Sequence, residues 1–196
     1  MKTSSCPESV RQHRNRFAVA TILAGVGLLA LAWPADAQVV YTPTNITISE
    51  GKYKLDINND GVTDFTIAVS IGQNKNPPCQ NHYYTVQERP SSDNGAESSR
   101  YPAELVTGDE IGPNQTFYAG RGVLLSWHRS CKTYWTGNWV LGQPGYLGLS
   151  FQVNGETYYG WAQLTITSAG DVASATLTGY AYESTPGMPI NAGQTQ

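Results

Sequence analysis

The sequence predicts an all-β protein, an antiparallel β-sandwich of jelly-roll-like form with long surface loops. Helical periodicity is nearly absent after residue 38, whereas short runs alternate apolar and polar side chains. Turn-forming residues separate these runs, and the 196-residue chain contains 20 glycines and 11 prolines. Short strands divided by turn signals are typical of sandwiches and barrels.

The strands are assigned from this alternation. In the run FTIAVSI, which begins at Phe65, the Phe, Ile and Val side chains share one face, and the Thr, Ala and Ser side chains share the other. The predicted strands are 46–49, 52–57, 65–71, 82–88, 122–128, 146–153, 156–167 and 175–183. The polar stretches 72–78 and 88–100 are predicted to be long surface loops.

The dipeptide Asn154-Gly155 predicts the best-defined hairpin, because both positions of a type I′ turn require a positive φ. Setting Val153 opposite Glu156 fixes the register of the two strands. The face assigned to the core then carries Leu147, Leu149, Phe151, Val153, Tyr158, Gly160 and Ala162. The reverse face carries Tyr146, Gly148, Ser150, Tyr159 and Trp161.

Residues 1–37 are predicted to be a secretory signal peptide, and residues 38–196 a single β-sandwich domain. Arginines precede an apolar run at 17–33, and Ala-Asp-Ala at 35–37 supplies the small-x-small pattern of a cleavage site. A membrane anchor is the alternative, but the apolar run is shorter than the about 20 residues that span a bilayer. We therefore expect a secreted protein.

Charge limits the partners. Residues 38–196 carry eight Lys or Arg and thirteen Asp or Glu side chains, a net charge of −5. This balance argues against nucleic acid and against anionic membrane as partners. Polysaccharide or other cell-surface components are the expected partners.

The same region keeps two cysteines, Cys79 and Cys131. An even number in an exported chain predicts one disulfide that closes a long loop. The alternative, a catalytic thiol at Cys131 beside His128, leaves Cys79 unexplained.

The segment LDINNDGVTDF at 55–65 predicts a calcium site. Calcium takes six to eight oxygen ligands, and alternation on a tight loop directs every second side chain to one centre. Gly61 permits the sharp turn, as in an EF-hand loop, but Ile67 stands where that loop would place a bidentate Glu. Because Ile67 belongs to the apolar face of a strand, the loop is expected to join two strands. The predicted ligands are Asp56, Asn58, Asp60, the Val62 carbonyl and Asp64.

A turn without metal is the alternative, since Asn, Asp and Gly are common turn residues. Three carboxylates converging on a hairpin tip would, however, repel one another without a cation. The stretch 56–64 resembles the D-x-D-x-D-G-x-x-D calcium loops of integrin-type repeats and thrombospondin type 3 repeats. The expected role of a structural Ca²⁺ here is to brace the hairpin.

Three further stretches, 104–117, 145–166 and 175–193, resemble secreted Gram-negative proteins of the PEP-CTERM-associated type. The resemblance implies an exported all-β domain and supplies no catalytic residue. The chain ends at INAGQTQ, without the Pro-Glu-Pro motif, apolar span and basic tail of that group. Release to the periplasm or the medium of a Gram-negative bacterium is therefore expected.

The predicted function is that of a non-catalytic surface or extracellular matrix component. A polysaccharide hydrolase or lyase is one alternative, but it needs two carboxylates about 5–10 Å apart across a groove, and no catalytic residue is assigned. A carbohydrate-binding module is the better alternative, because aromatic rings on a sheet can stack on sugars, although such rings also fill cores. The candidate platform is Tyr146, Tyr159, Trp161, Trp135 and Trp139.

Overall fold

A computed structural model describes residues 38–74, 79 and 81–196, and the expected signal peptide lies outside the described residues. Its strands are β1 (Val39–Ile48), β2 (Gly51–Leu55), β3 (Phe65–Asn74), β4 (Asn81–Pro90), β5 (Gly95–Glu97), β6 (Glu110–Ile111), β7 (Phe117–Tyr118), β8 (Gly122–Arg129), β9 (Thr133–Gly137), β10 (Pro144–Val153), β11 (Glu156–Ala169), β12 (Val172–Glu183) and β13 (Ile190–Asn191). Within this part of the chain, no helix is long and apolar enough to cross a membrane.

Two antiparallel sheets pack face to face, which confirms the predicted β-sandwich. The six-stranded sheet has the order β1-β12-β11-β10-β5-β7, and the five-stranded sheet has the order β2-β3-β4-β8-β9. Apolar side chains from both inner faces form one core, to which β3 contributes Phe65 and Ile67 and β10 contributes Leu149 and Phe151. Burial of such side chains is the main stabilising contribution of a sandwich.

The β10–β11 hairpin has the register that the sequence predicts. Val153 lies opposite Glu156, and the turn residues Asn154 and Gly155 adopt φ values of 53° and 83°. The side chains assigned to the core face are buried or pack against the core. A local turn signal therefore fixed the orientation of two long strands.

A second, smaller apolar cluster lies on the reverse face of the six-stranded sheet. The short ladder β6–β13 brings Ile111 and Ile190 together, and the neighbouring Leu105 packs with them against Tyr159 and Trp161. The six-stranded sheet is therefore buried on both faces, at least over β10 and β11. Among the described residues, nothing comparable covers the outer face of the five-stranded sheet.

The polar stretch 88–100 is more ordered than expected, which corrects its assignment as a loop. Strand β4 extends to Pro90, and β5 follows after a short connection. Within that connection Asn94 is buried, and its Oδ1 accepts a hydrogen bond from the Gln152 N–H at 3.0 Å. The polar composition of this segment predicts a loop, whereas its order comes from side-chain hydrogen bonds to backbone groups that are distant in the sequence.

Cys79 and Cys131 form the predicted disulfide, with their Cα atoms 5.3 Å apart. Cys79 precedes β4, and Cys131 lies between β8 and β9. The bond thus joins the ends of β4 and β8, which are hydrogen-bonded neighbours in the five-stranded sheet.

Candidate functional site

The acidic loop 56–64 closes the β2–β3 hairpin, as its sequence predicts. Leu55 lies opposite Phe65, and the Asp64 N–H donates to the Leu55 carbonyl at 2.9 Å. Asn59 and Gly61 adopt φ values of 58° and 89°, which allow the chain to reverse within the loop.

Three of the predicted ligand side chains gather on one side of this loop. The Asp56 carboxylate accepts hydrogen bonds from the Asp60 N–H at 3.1 Å and the Gly61 N–H at 2.7 Å. Asp60 accepts one from the Val62 N–H at 2.8 Å, and the Asn58 amide donates to Asp60 at 3.0 Å. These bonds hold Asp56, Asn58 and Asp60 next to one another at the solvent.

Asp64 is placed differently from the expectation that it completes the ligand set. It is buried, its Oδ2 accepts the Ile57 N–H at 2.9 Å, and its Oδ1 lies 3.4 Å from the Asn94 amide nitrogen. Burial raises the pKa of Asp64, and the negative charges of Asp60 and Asp56 raise it further. Accordingly, no three His, Cys, Asp or Glu side chains converge on one point in the described part of the chain.

The exposed side of the loop nonetheless has the chemistry that a hard cation requires. It offers carboxylate oxygens from Asp56 and Asp60 and an amide oxygen from Asn58. The hydrogen bonds leave lone pairs free on the carboxylates, because each oxygen accepts more than one bond. The residues present therefore fit a calcium ion bound mainly by Asp56, Asn58 and Asp60, with water completing its coordination.

Most of the predicted aromatic platform is buried, which corrects that assignment. Trp161 is only 2% exposed, and Tyr159 and Trp139 are also buried. Tyr146 is half-buried and packs edge-on against Trp161, with ring centroids 5.2 Å apart. None of these four rings presents an open face to a ligand, because the second apolar cluster or the core already occupies it. Trp135, which is 53% exposed, is the member of the platform that remains accessible.

The structure instead presents an aromatic row that the sequence analysis missed. Tyr83, His128 and Tyr134 are register partners across β4, β8 and β9 on the outer face of the five-stranded sheet. The Tyr83 and His128 ring centroids are 6.1 Å apart, and those of His128 and Tyr134 are 6.3 Å apart. Tyr83 and Tyr134 are 40% and 54% exposed, so both rings reach the solvent.

Glycine 72 of β3 shapes one end of this row. A Cβ atom at that position would overlap the Tyr83 ring, so the absence of a side chain at Gly72 makes room for the ring over the neighbouring strand.

Four surface depressions in the described part of the chain bear on the glycoside hydrolase alternative. Each is lined by at most one acidic side chain, Glu50 or Glu97. Glu88 is a further carboxyl with unusual surroundings, and burial raises its pKa to about 8, but it lies inside the sandwich. These positions give no support to the hydrolase or lyase alternative.

Comparisons of the chain with family models, curated proteins and solved structures find no match. The acidic loop and the open face of the five-stranded sheet are therefore the basis for a functional proposal.

Proposed function

We propose that this protein is an exported, non-catalytic component of the cell surface or extracellular matrix that binds polysaccharide. The binding surface is the outer face of the five-stranded sheet, and a calcium ion braces the β2–β3 hairpin at one end of the fold. The observation that carries the proposal is the row of Tyr83, His128 and Tyr134 across three neighbouring strands, in which both tyrosine side chains are exposed.

The chemistry of the face suits a sugar chain. Aromatic rings stack on the apolar C–H faces of pyranose rings and lose little conformational entropy on binding. The next outward-facing positions on β4 and β8 are Thr85 and Ser126, whose hydroxyl oxygens are 2.9 Å apart. These hydroxyls can donate to and accept from the hydroxyls of a sugar lying on the sheet.

Export is supported by two features. The sequence of 1–37 has the pattern of a signal peptide, and the Cys79–Cys131 disulfide is typical of proteins from oxidising compartments. A surface or matrix location would also bring the open face into contact with polysaccharide.

Removing the aromatic row is expected to abolish polysaccharide binding without unfolding the protein. Tyr83→Ala and Tyr134→Ala should each weaken binding about tenfold or more, as for interface residues worth over about 1.4 kcal/mol. The measurement is retardation in native gels that contain a soluble polysaccharide, over a panel of neutral and acidic chains. Tyr118→Ala is the matched control, because this tyrosine is 58% exposed but belongs to the other sheet.

Two results would contradict the binding function. One is that no polysaccharide of the panel retards the wild-type protein. The other is retardation that Tyr118→Ala weakens as much as the two variants of the row do.

Calcium is expected to raise the melting temperature of the mature protein. A ligand at a hundred times its Kd stabilises the folded state by about 2.7 kcal/mol, which corresponds to about 5 to 10 °C for a domain of this size. Asp60→Ala should abolish the shift and Asp60→Asn should reduce it, whereas Glu50→Ala, an exposed carboxyl outside the loop, should preserve it. Melting curves that are the same in EDTA and in calcium would show that the loop is only a turn.

A further inference from the structure

The outer face of the five-stranded sheet also carries a group of cations, which lies further along the strands than the aromatic row. Lys52 and Lys54 project from β2, Arg89 projects from β4, and Arg121 directly precedes β8. All four side chains are exposed, and they line one groove together with Thr66, Ala68 and Gln87.

These four cations line one groove on a protein that is acidic overall, and one of them, Lys52, also lines a neighbouring depression with Glu50. They are half of the eight Lys and Arg side chains in residues 38–196, which carry a net charge of −5. The described outward-facing positions of β2, β3, β4, β8 and β9 include no Asp or Glu. Among the described residues, the ion pairs present involve Asp171 and leave all four cations unpaired.

We propose that the polysaccharide bound by this face is acidic, and that its carboxylate or sulfate groups lie against Lys52, Lys54, Arg89 and Arg121. This inference rests on the proposed function and names its class of ligand. An unpaired group of cations on an otherwise acidic protein attracts an anion locally, and guanidinium groups bind carboxylate and sulfate in a two-pronged geometry.

The dimensions of the face suit an extended chain. Outward positions two residues apart on one strand are separated by about 6.7 Å, so Arg89 and Tyr83 lie about 20 Å apart along β4. A sugar chain running along the strands would meet the aromatic row first, then the hydroxyls of Thr85 and Ser126, and then the cations. Stacking and charge pairing would therefore act on different sugars of one chain.

A polysaccharide fits this face better than the other polyanions. Nucleic acid carries a dense array of phosphates, which a protein with a net charge of −5 repels beyond the immediate contact. An anionic membrane would favour apolar side chains that enter the lipid, whereas the middle of the face carries the hydroxyls of Thr85 and Ser126.

The test uses two pairs of probes with the same backbone and different charge. One pair is polygalacturonate and its methyl ester, and the other is dextran sulfate and dextran. The wild-type protein should bind at least one acidic member ten or more times more tightly than its neutral partner, and added salt should weaken that binding. Lys54→Gln with Arg89→Gln should reduce the affinity for the acidic member about tenfold and leave binding of the neutral member unchanged. Arg100→Gln, an exposed arginine outside the groove, is the matched control.

The outcomes separate the inference from the proposed function. Equal binding of acidic and neutral members, unaffected by the double substitution, would overturn the inference and leave polysaccharide binding intact. Failure to bind any of the four probes or the wider panel would overturn both. Equally tight binding of double-stranded DNA or of vesicles rich in phosphatidylserine, lost in the same double variant, would overturn the assignment of a polysaccharide as the ligand.

Discussion

Replacing Glu88 with glutamine is expected to flatten the pH dependence of the unfolding free energy and to stabilise the protein at pH 7. Glu88 points into the sandwich from β4, where its register partners are Ile67 and Gly122. It is 1% exposed, and its Oε2 atom has no hydrogen-bond partner among the described residues. Burial raises the pKa of this carboxyl to about 8, and the Gly122 N–H offsets only part of the effect.

The sign of this pH dependence follows from the number of protons that the folded and the unfolded protein bind. Between pH 4.5 and about 8 the folded protein holds a proton on Glu88 that the unfolded chain releases. The contribution of Glu88 to stability is therefore most favourable below its unfolded pKa of 4.5. This contribution falls as the pH rises, and it stops falling above the folded pKa of about 8. The loss is about 1.4 kcal/mol per pH unit and reaches about 5 kcal/mol over the whole interval as an order of magnitude.

Glu88→Gln should remove this slope while keeping the shape of the side chain. At pH 7 the gain should be about 1 to 3 kcal/mol, because the new amide group introduces a donor that itself needs a partner. The measurement is urea unfolding from pH 5 to pH 8 in EDTA, so that calcium binding does not contribute. Glu110→Gln, an exposed carboxyl on β6, is the control and should follow the wild-type slope. A Glu88→Gln slope equal to that of the wild type would show that Glu88 is ionised in the fold.

The successful sequence predictions rest on short-range signals. Asn154-Gly155 requires two positive φ values in succession, and this requirement alone aligned β10 with β11. The hairpin around 56–64 was predicted because Ile67 continues the apolar face of β3, and Ile67 is indeed fully buried. The pairing of Cys79 with Cys131 needed only a count of cysteines.

The features that the sequence did not reveal depend on segments far apart in the chain. Alternation places Trp161 on the reverse face of β11 but does not say whether that face meets solvent, and Leu105, Ile111 and Ile190 cover it. The direction in which the Asp64 side chain points also depends on a segment that is distant in the sequence. The spacing of the loop assigned it as a calcium ligand, whereas Asn94, thirty residues further on, hydrogen-bonds it on the interior side.

The aromatic row could not be predicted from the sequence for the same reason. Tyr83, His128 and Tyr134 come from three strands, and no turn signal fixes the register of β4 against β8. That register also contains a bulge between Val86 and Gln87, which no local pattern indicates. The cations lie on the same face of the sheet as the row because the pairing of β2 with β3 and of β3 with β4 brings Lys52 and Lys54 close to Arg89.

Loss of the Cys79–Cys131 disulfide is expected to lower the unfolding free energy by about 4 kcal/mol. The two cysteines are 52 residues apart in sequence, and a cross-link of that length removes this much conformational freedom from the unfolded chain in the chain-entropy model. In the folded protein the bond only joins the ends of β4 and β8, which the sheet already holds together. The expected effect therefore arises mainly in the unfolded state.

Denaturant unfolding of the Cys79→Ser, Cys131→Ser double variant can distinguish an effect on the unfolded state from an effect on the folded state. The midpoint should fall, and the m-value should rise, because an unfolded chain without the cross-link exposes more surface. A native wild-type protein that reacts with a thiol reagent at both cysteines would contradict the pairing, and an unchanged midpoint would contradict the stabilisation. Domains are commonly stable by only about 5 to 15 kcal/mol, so a loss of this size would leave the reduced protein partly unfolded or marginal. Full stability would then require the oxidising compartment to which the predicted signal peptide at 1–37 would direct the chain.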